Sequence, residues 1–224
     1  MSHFNCRAEI LMIAVGAGVV VLGVGAIGGM GEMGGVGFTN RGGEAVENVA
    51  LVQPEGEMNE MMEAFMKAAT PGENHERLEY FIGEWKAVAR FRMDPNAEPT
   101  VSEGTSIQKW VLGKRFVQTQ FHIDDMMGMP FDGIGFMGYD NNTKEYVSTW
   151  IDTWGTGIFK ETGSYSSADK AYTLSGEATS PSGPMAIKHV TKIIDNNTHI
   201  LEFWEPNPET GELVQNGTIT YTRK

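Results

Sequence analysis

From Glu84 onward the chain alternates between apolar and polar residues. In EWKAVARFRM, Trp85, Ala87, Ala89, Phe91 and Met93 fall on one side, with Glu84, Lys86, Arg90 and Arg92 on the other. This is the period-two pattern of a strand with one buried face. Similar runs follow at 102–112, 114–123, 131–139, 144–154, 156–165, 170–177, 185–194, 199–205 and 213–223. Turn-forming stretches separate them: DPNAEP, LGK, DNNT, SSADK, SPSGP, DNNT again and NPETG. About ten short antiparallel strands with tight turns and no helices between them predict an all-β domain, either a closed up-and-down barrel or a sandwich. The barrel is preferred because consecutive hairpins leave no connection long enough for a Greek-key crossing. The two Asp-Asn-Asn-Thr turns, at 140–143 and 195–198, reflect shared hairpin chemistry and not a duplication.

Upstream the period changes. Met58, Met61, Met62, Phe65, Met66 and Ala69 recur at helical spacing, and Pro71-Gly72 ends the run. This stripe is expected to be a packing face and not a cofactor box. A second short helix is predicted over 74–82, with Leu78, Phe81 and Ile82 on one face. Residues 31–56 are glycine-rich and aperiodic, as a flexible linker would be. Residues 10–30 carry no charge at all. Such a run suits a signal peptide, with Val24-Gly25-Ala26 as a cleavage site, or an uncleaved membrane anchor. The expected organisation is therefore an export segment (1–30), a linker (31–56) and a β-barrel domain (57–224), in an exported, extracytoplasmic protein.

Charge narrows the partners. The formal net charge is −12, and no basic run occurs, so neither nucleic acid nor an anionic membrane surface is an expected partner. A membrane is expected to be met only through the N-terminal segment. Cys6 is the only cysteine, which excludes an intramolecular disulfide.

Gly83-Glu84-Trp85 opens the first strand and Tyr221-Thr222-Arg223-Lys224 closes the last. This combination resembles the calycin arrangement of lipocalins and fatty-acid-binding proteins. The resemblance implies that Trp85 plugs the barrel floor and that Arg223 stacks over it, closing the barrel. Over about 55–224, the ordered stretches ATPGENHERLEYFIGEW, KWVLGKRFVQ, MMGMPFDGIGFMGYDN, KEYVSTWIDTWGTGI and ITYTRK resemble domain of unknown function 1579, a bacterial and often exported family. That resemblance implies a lipocalin-like or nitrobindin-like barrel and implies no reaction.

Candidate site residues come from the alternation. Tyr146, Ser148, Trp150 and Asp152 share one face of their strand, a mixture of apolar area and orienting polar groups that suits a pocket wall or, alternatively, a solvent face with incidental aromatics. Trp154 follows in a Trp-Gly-Thr-Gly segment. On 114–123, Val117, Thr119, Phe121 and Ile123 form the more apolar face, so His122 is expected outside. His189 lies with Met185, Ile187 and Ile193 on an inward face. His122, His189 and His199 show no paired metal-ligand spacing, and no metal is expected. The stretch DDMMGMPFDGIGFMGY (124–139) reads as the lip of a pocket formed by Met126, Met127 and Met129, as a structural turn, or as a soft-metal cluster.

Hydrolytic chemistry finds little support, because the sequence has no Gly-x-Ser-x-Gly, no phosphate loop and no cysteine in the folded part. The expected function is binding of a small hydrophobic or amphipathic molecule by Tyr146, Trp150, Asp152, Trp154, His189, Met127 and Met129. Tyr146, Trp150 and His189 are expected to share one cavity. No cofactor is expected. The alternatives are haem on His189, by analogy with nitrobindin-like barrels, an acid/base enzyme pairing Asp152 with His189, and a structural module with a filled barrel.

Overall fold

A computed structural model describes residues 55–92, 98–180, 183–207 and 210–224, together with a two-residue ladder of Ala14–Val15 with Gly18–Val19. The rest of the apolar run 10–30, and the linker up to residue 54, lie outside the described residues, as does Met93. Helix α1 spans Glu55–Ala69, and α2, Glu73–Glu76, continues as a 3-10 turn over Arg77–Phe81. Ten strands follow: β1 Gly83–Phe91, β2 Thr100–Val111, β3 Phe116–Met126, β4 Met129–Asp140, β5 Glu145–Asp152, β6 Phe159–Ser166, β7 Ala171–Ser180, β8 Gly183–Asp195, β9 Thr198–Pro206 and β10 Leu213–Arg223.

Each strand pairs antiparallel with the next, and β10 pairs back onto β1, with Gly217 opposite Phe91 and Arg223 opposite Trp85. The sheet is thus a closed up-and-down barrel, in which no strand keeps an unpaired edge. The alternation explains the closure: every inward position must be apolar or satisfied, and a closed sheet buries one complete face.

The barrel floor is the end where β1 starts and β10 finishes. The 73–81 segment lies across it, and strand side chains satisfy its backbone carbonyls. Trp85 Nε1 donates to Phe81 O (2.8 Å), Tyr146 Oη to Asn74 O (3.0 Å), and Arg223 Nη1 and Nη2 to Ile82 O and Tyr80 O (2.7 Å each). Arg223 also places its guanidinium carbon 4.1 Å from the Trp85 ring centroid. Trp85 has no exposed surface. Gly83 makes room for this contact: its φ is +132°, and a Cβ there would lie 2.8 Å from Arg223 Nη1.

Two expectations need correction. The methionine stripe of α1 is not a packing face, because Met58, Met61, Met62, Phe65 and Met66 are all exposed. Among the described residues, only the end of the helix is tied down, through Arg115 Nη2 to Ala69 O and Asn141 Nδ2 to Ala68 O. The floor that the stripe could have covered is already closed by Leu78 and Phe81. In addition, the expected strands 144–154 and 156–165 stop at Asp152 and start at Phe159, so Trp-Gly-Thr-Gly is a loop at the mouth.

Candidate functional site

Above the floor the lumen is open. A cavity of about 230 Å³ occupies it, larger than the roughly 150 Å³ engineered cavity that admits benzene. The barrel is therefore not filled by its side chains. Aromatic and aliphatic groups form most of the wall, including Phe91, Phe121, Trp150, Phe159, Leu201 and Phe203.

Trp150 stands near the mouth, opposite Gly135 on β4 and Phe159 on β6. Its indole lies against β4. A Cβ at Gly133 would come within 2.1 Å of Trp150 Cζ2, and one at Gly135 within 2.8 Å of Cε3. Gly133 and Gly135 are thus the bed of this indole. Asp152 Oδ2 accepts Trp150 Nε1–H (2.9 Å) and Asp152 Oδ1 accepts the Trp154 backbone N–H (2.8 Å). That carboxylate fixes the ring and the loop after it.

The polar centre comes from β6 and β8. His189 Nδ1 donates to Glu161 Oε2 at 2.8 Å. A carboxylate only accepts, so the proton sits on Nδ1 and Nε2 is left over. Both side chains are nearly buried, at 17% and 10% exposure. They reach each other diagonally across β7, where Gly176 stands opposite Glu161 and Leu174 opposite His189. Phe159 and Phe203 pack edge-on against the imidazole, with centroids at 5.8 and 4.7 Å. Close by, burial raises the Glu205 carboxyl pKa, opposed by His189 and by the hydrogen bond from Asn216 Nδ2.

His199 lines the deep end of the cavity. It stacks on Tyr221 (4.5 Å, 15°) and meets the Trp85 ring edge-on at 4.5 Å. Burial, assisted by Arg223, pushes its pKa down to about 3. Burial also raises the Tyr221 hydroxyl pKa.

The chain belongs to the DUF1579 family. The profile of that family, described as a protein of unknown function, matches residues 70–223. No curated protein matches the sequence. Among solved structures, Rv2717c from M. tuberculosis is similar with a TM-score of 0.53 at 14% identity, covering 69% of this chain and 99% of that one. This likeness speaks for the barrel fold alone. The S-type phycobiliprotein lyase CPES from Guillardia theta follows at a TM-score of 0.47 and 8% identity, over 69% of this chain and 98% of that one.

Against this geometry, the candidate residues of the DUF1579 chain separate. Trp150 and His189 line the cavity, whereas Tyr146 faces inward but lies lower, in the floor cluster with Tyr172 and Leu78. Its ring meets Tyr172 at 4.9 Å, and burial raises its pKa to about 12. The expected three-residue cavity is corrected to two of the three. Asp152 and Trp154 stand at the mouth, Trp154 against Phe131 at 5.0 Å. Met127 and Met129 are exposed in the β3–β4 hairpin, and of the three hairpin methionines Met126 turns into the cavity, which Met137 of β4 also lines. Asp152 does not pair with His189; Glu161 does. Glu161 went unnoticed in the sequence, although Phe159, Glu161, Gly163 and Tyr165 alternate in register and mark it as inward. His122 is outside, between Asp132 (2.7 Å) and Asp124 (3.1 Å), which together raise its pKa. Among the described residues no cluster of potential ligands could hold a metal ion.

Proposed function

We propose that the barrel binds a small, largely apolar molecule, with its body among the aromatic walls and one polar group at the Glu161–His189 pair. The observation that carries this reading is an aromatic cavity of about 230 Å³ with a hydrogen-bonded carboxylate–imidazole pair set into its wall. Pockets of this kind gain affinity from apolar area and orientation from a few convergent polar groups. Haem on His189 is the rival occupant, and no step is assigned to it. From the uncharged run 10–30 we also place the protein outside the cytoplasm, secreted or anchored. Fractionation of cells producing the full chain tests that placement, and recovery in the cytosol would refute it.

Binding is tested with the neutral fluorophore N-phenyl-1-naphthylamine. Its emission should rise with the native protein and rise far less with Gly135→Leu, which fills the cavity wall beside Trp150. Equal enhancement by both proteins would place the dye elsewhere and overturn the reading. A Soret band in protein purified from cells would replace it with haem binding.

A further inference from the structure

The charges around the cavity restrict the ligand further. Among the described residues that line it are one carboxylate, Glu161, and two imidazoles, His189 and His199, but no lysine and no arginine. His199, its pKa pressed down to about 3 by burial, is neutral at pH 7. The wall therefore sets one carboxyl group and one further imidazole, His189, in the cavity, with no lysine or arginine to supply a permanent positive charge. Glu205, near His189, adds a second carboxyl and no cation. The guanidinium of Arg223 is committed to the carbonyls of Ile82 and Tyr80 and to the Trp85 face beneath the cavity.

An anionic head group entering here would lose its hydration and find no compensating charge, which is strongly unfavourable. A cationic one would meet the reverse. Glu161 hydrogen-bonds only His189 among the described residues and does so through Oε2, which leaves Oε1 to accept from a ligand. Phe159, Phe203 and Trp150 line the same cavity, and an aromatic face turned toward a cation adds to its binding.

We propose that this cavity takes a small cationic amphiphile, an alkyl- or arylalkylamine, with its ammonium on Glu161 and its hydrocarbon body between Trp150, Phe121 and Phe203. The proposal rests on the binding function above and adds the sign of the head group.

Three eight-carbon probes separate the two readings by isothermal titration calorimetry on the full chain at pH 7: octylamine, 1-octanol and octanoate. Octylamine should bind at least about tenfold more tightly than octanol, and octanoate most weakly. Glu161→Gln keeps the shape and an acceptor for His189, so octanol binding should persist while the amine falls to the level of the alcohol. Octanol also reports that the variant is folded. An amine preference that survives Glu161→Gln, or octanoate binding as well as octylamine, would overturn the assignment and leave the cavity a generic apolar site. If none of the three probes binds and the neutral fluorophore also fails, the binding function itself falls.

Discussion

His199 is buried to 2% exposure, and its Nδ1 meets no hydrogen-bond partner among the described residues. Desolvation is therefore the main reason its pKa falls from 6.5 to about 3. The unfolded chain takes up this proton near pH 6.5 and the folded one only near 3, so the contribution to stability is complete above about 6.5. It is lost as the pH falls toward 3, and is on the order of several kcal/mol in total. Urea unfolding of His199→Phe and of the parent between pH 4 and 7 should show a shallower acid slope in the variant; parallel slopes would exclude His199 as the group responsible. Gly133 makes a second residue-scale test. A methyl there would collide with Trp150 Cζ2, so Gly133→Ala should move the indole, weaken fluorophore binding several-fold and cost about 1–3 kcal/mol as overpacking. Unchanged binding would mean that the indole position does not matter to the site.

At the scale of elements, α1 and the floor segment behave oppositely although both show helical periodicity. Leu78 and Phe81 of the short 3-10 turn are buried, whereas the longer α1 exposes its apolar stripe. Periodicity reveals that a face exists and not whether anything covers it. Replacing Met61 and Met62 with Gln should therefore shift the unfolding free energy of the barrel by no more than about 0.5 kcal/mol; a loss of several kcal/mol would show that the stripe is packed in solution. Strand faces are more legible, because a period of exactly two leaves only two choices. Val117, Phe121 and Ile123 are buried and His122 is exposed, as the more apolar face of that strand implies. On β5 the alternation put Tyr146, Ser148 and Trp150 on one face, but neither the side that face takes nor the depth of each residue along the barrel was readable. Depth depends on the stagger of neighbouring strands, which put Tyr146 in the floor and Trp150 at the mouth.

The whole molecule depends on the seam where β10 returns to β1. Trp85 and Arg223 sit directly opposite across it. Trp85→Ala should cost about 3–5 kcal/mol as a large-to-small change in a fully buried site. Arg223→Ala should cost about 2–4 kcal/mol, because two carbonyls lose charged donors and the indole loses its stacked cation. A double-mutant cycle between them should show coupling above about 0.5 kcal/mol; coupling within error of zero would mean that the stacking contributes nothing to closure.

The sequence by itself determined the all-β domain, the approximate span of its ten strands and the lack of a basic run, because each depends on local alternation, turn chemistry or composition; the place of Trp85 in the floor was implied by the calycin resemblance. Only the tertiary structure decided that Glu161 and not Asp152 is the partner of His189. The two residues stand 28 positions apart and meet diagonally across β7, a juxtaposition set by the registers of β6, β7 and β8. It likewise decided that the lumen stays open, since cavity volume is the difference between the space the strands enclose and the side chains they place in it, and neither term can be read along a single strand.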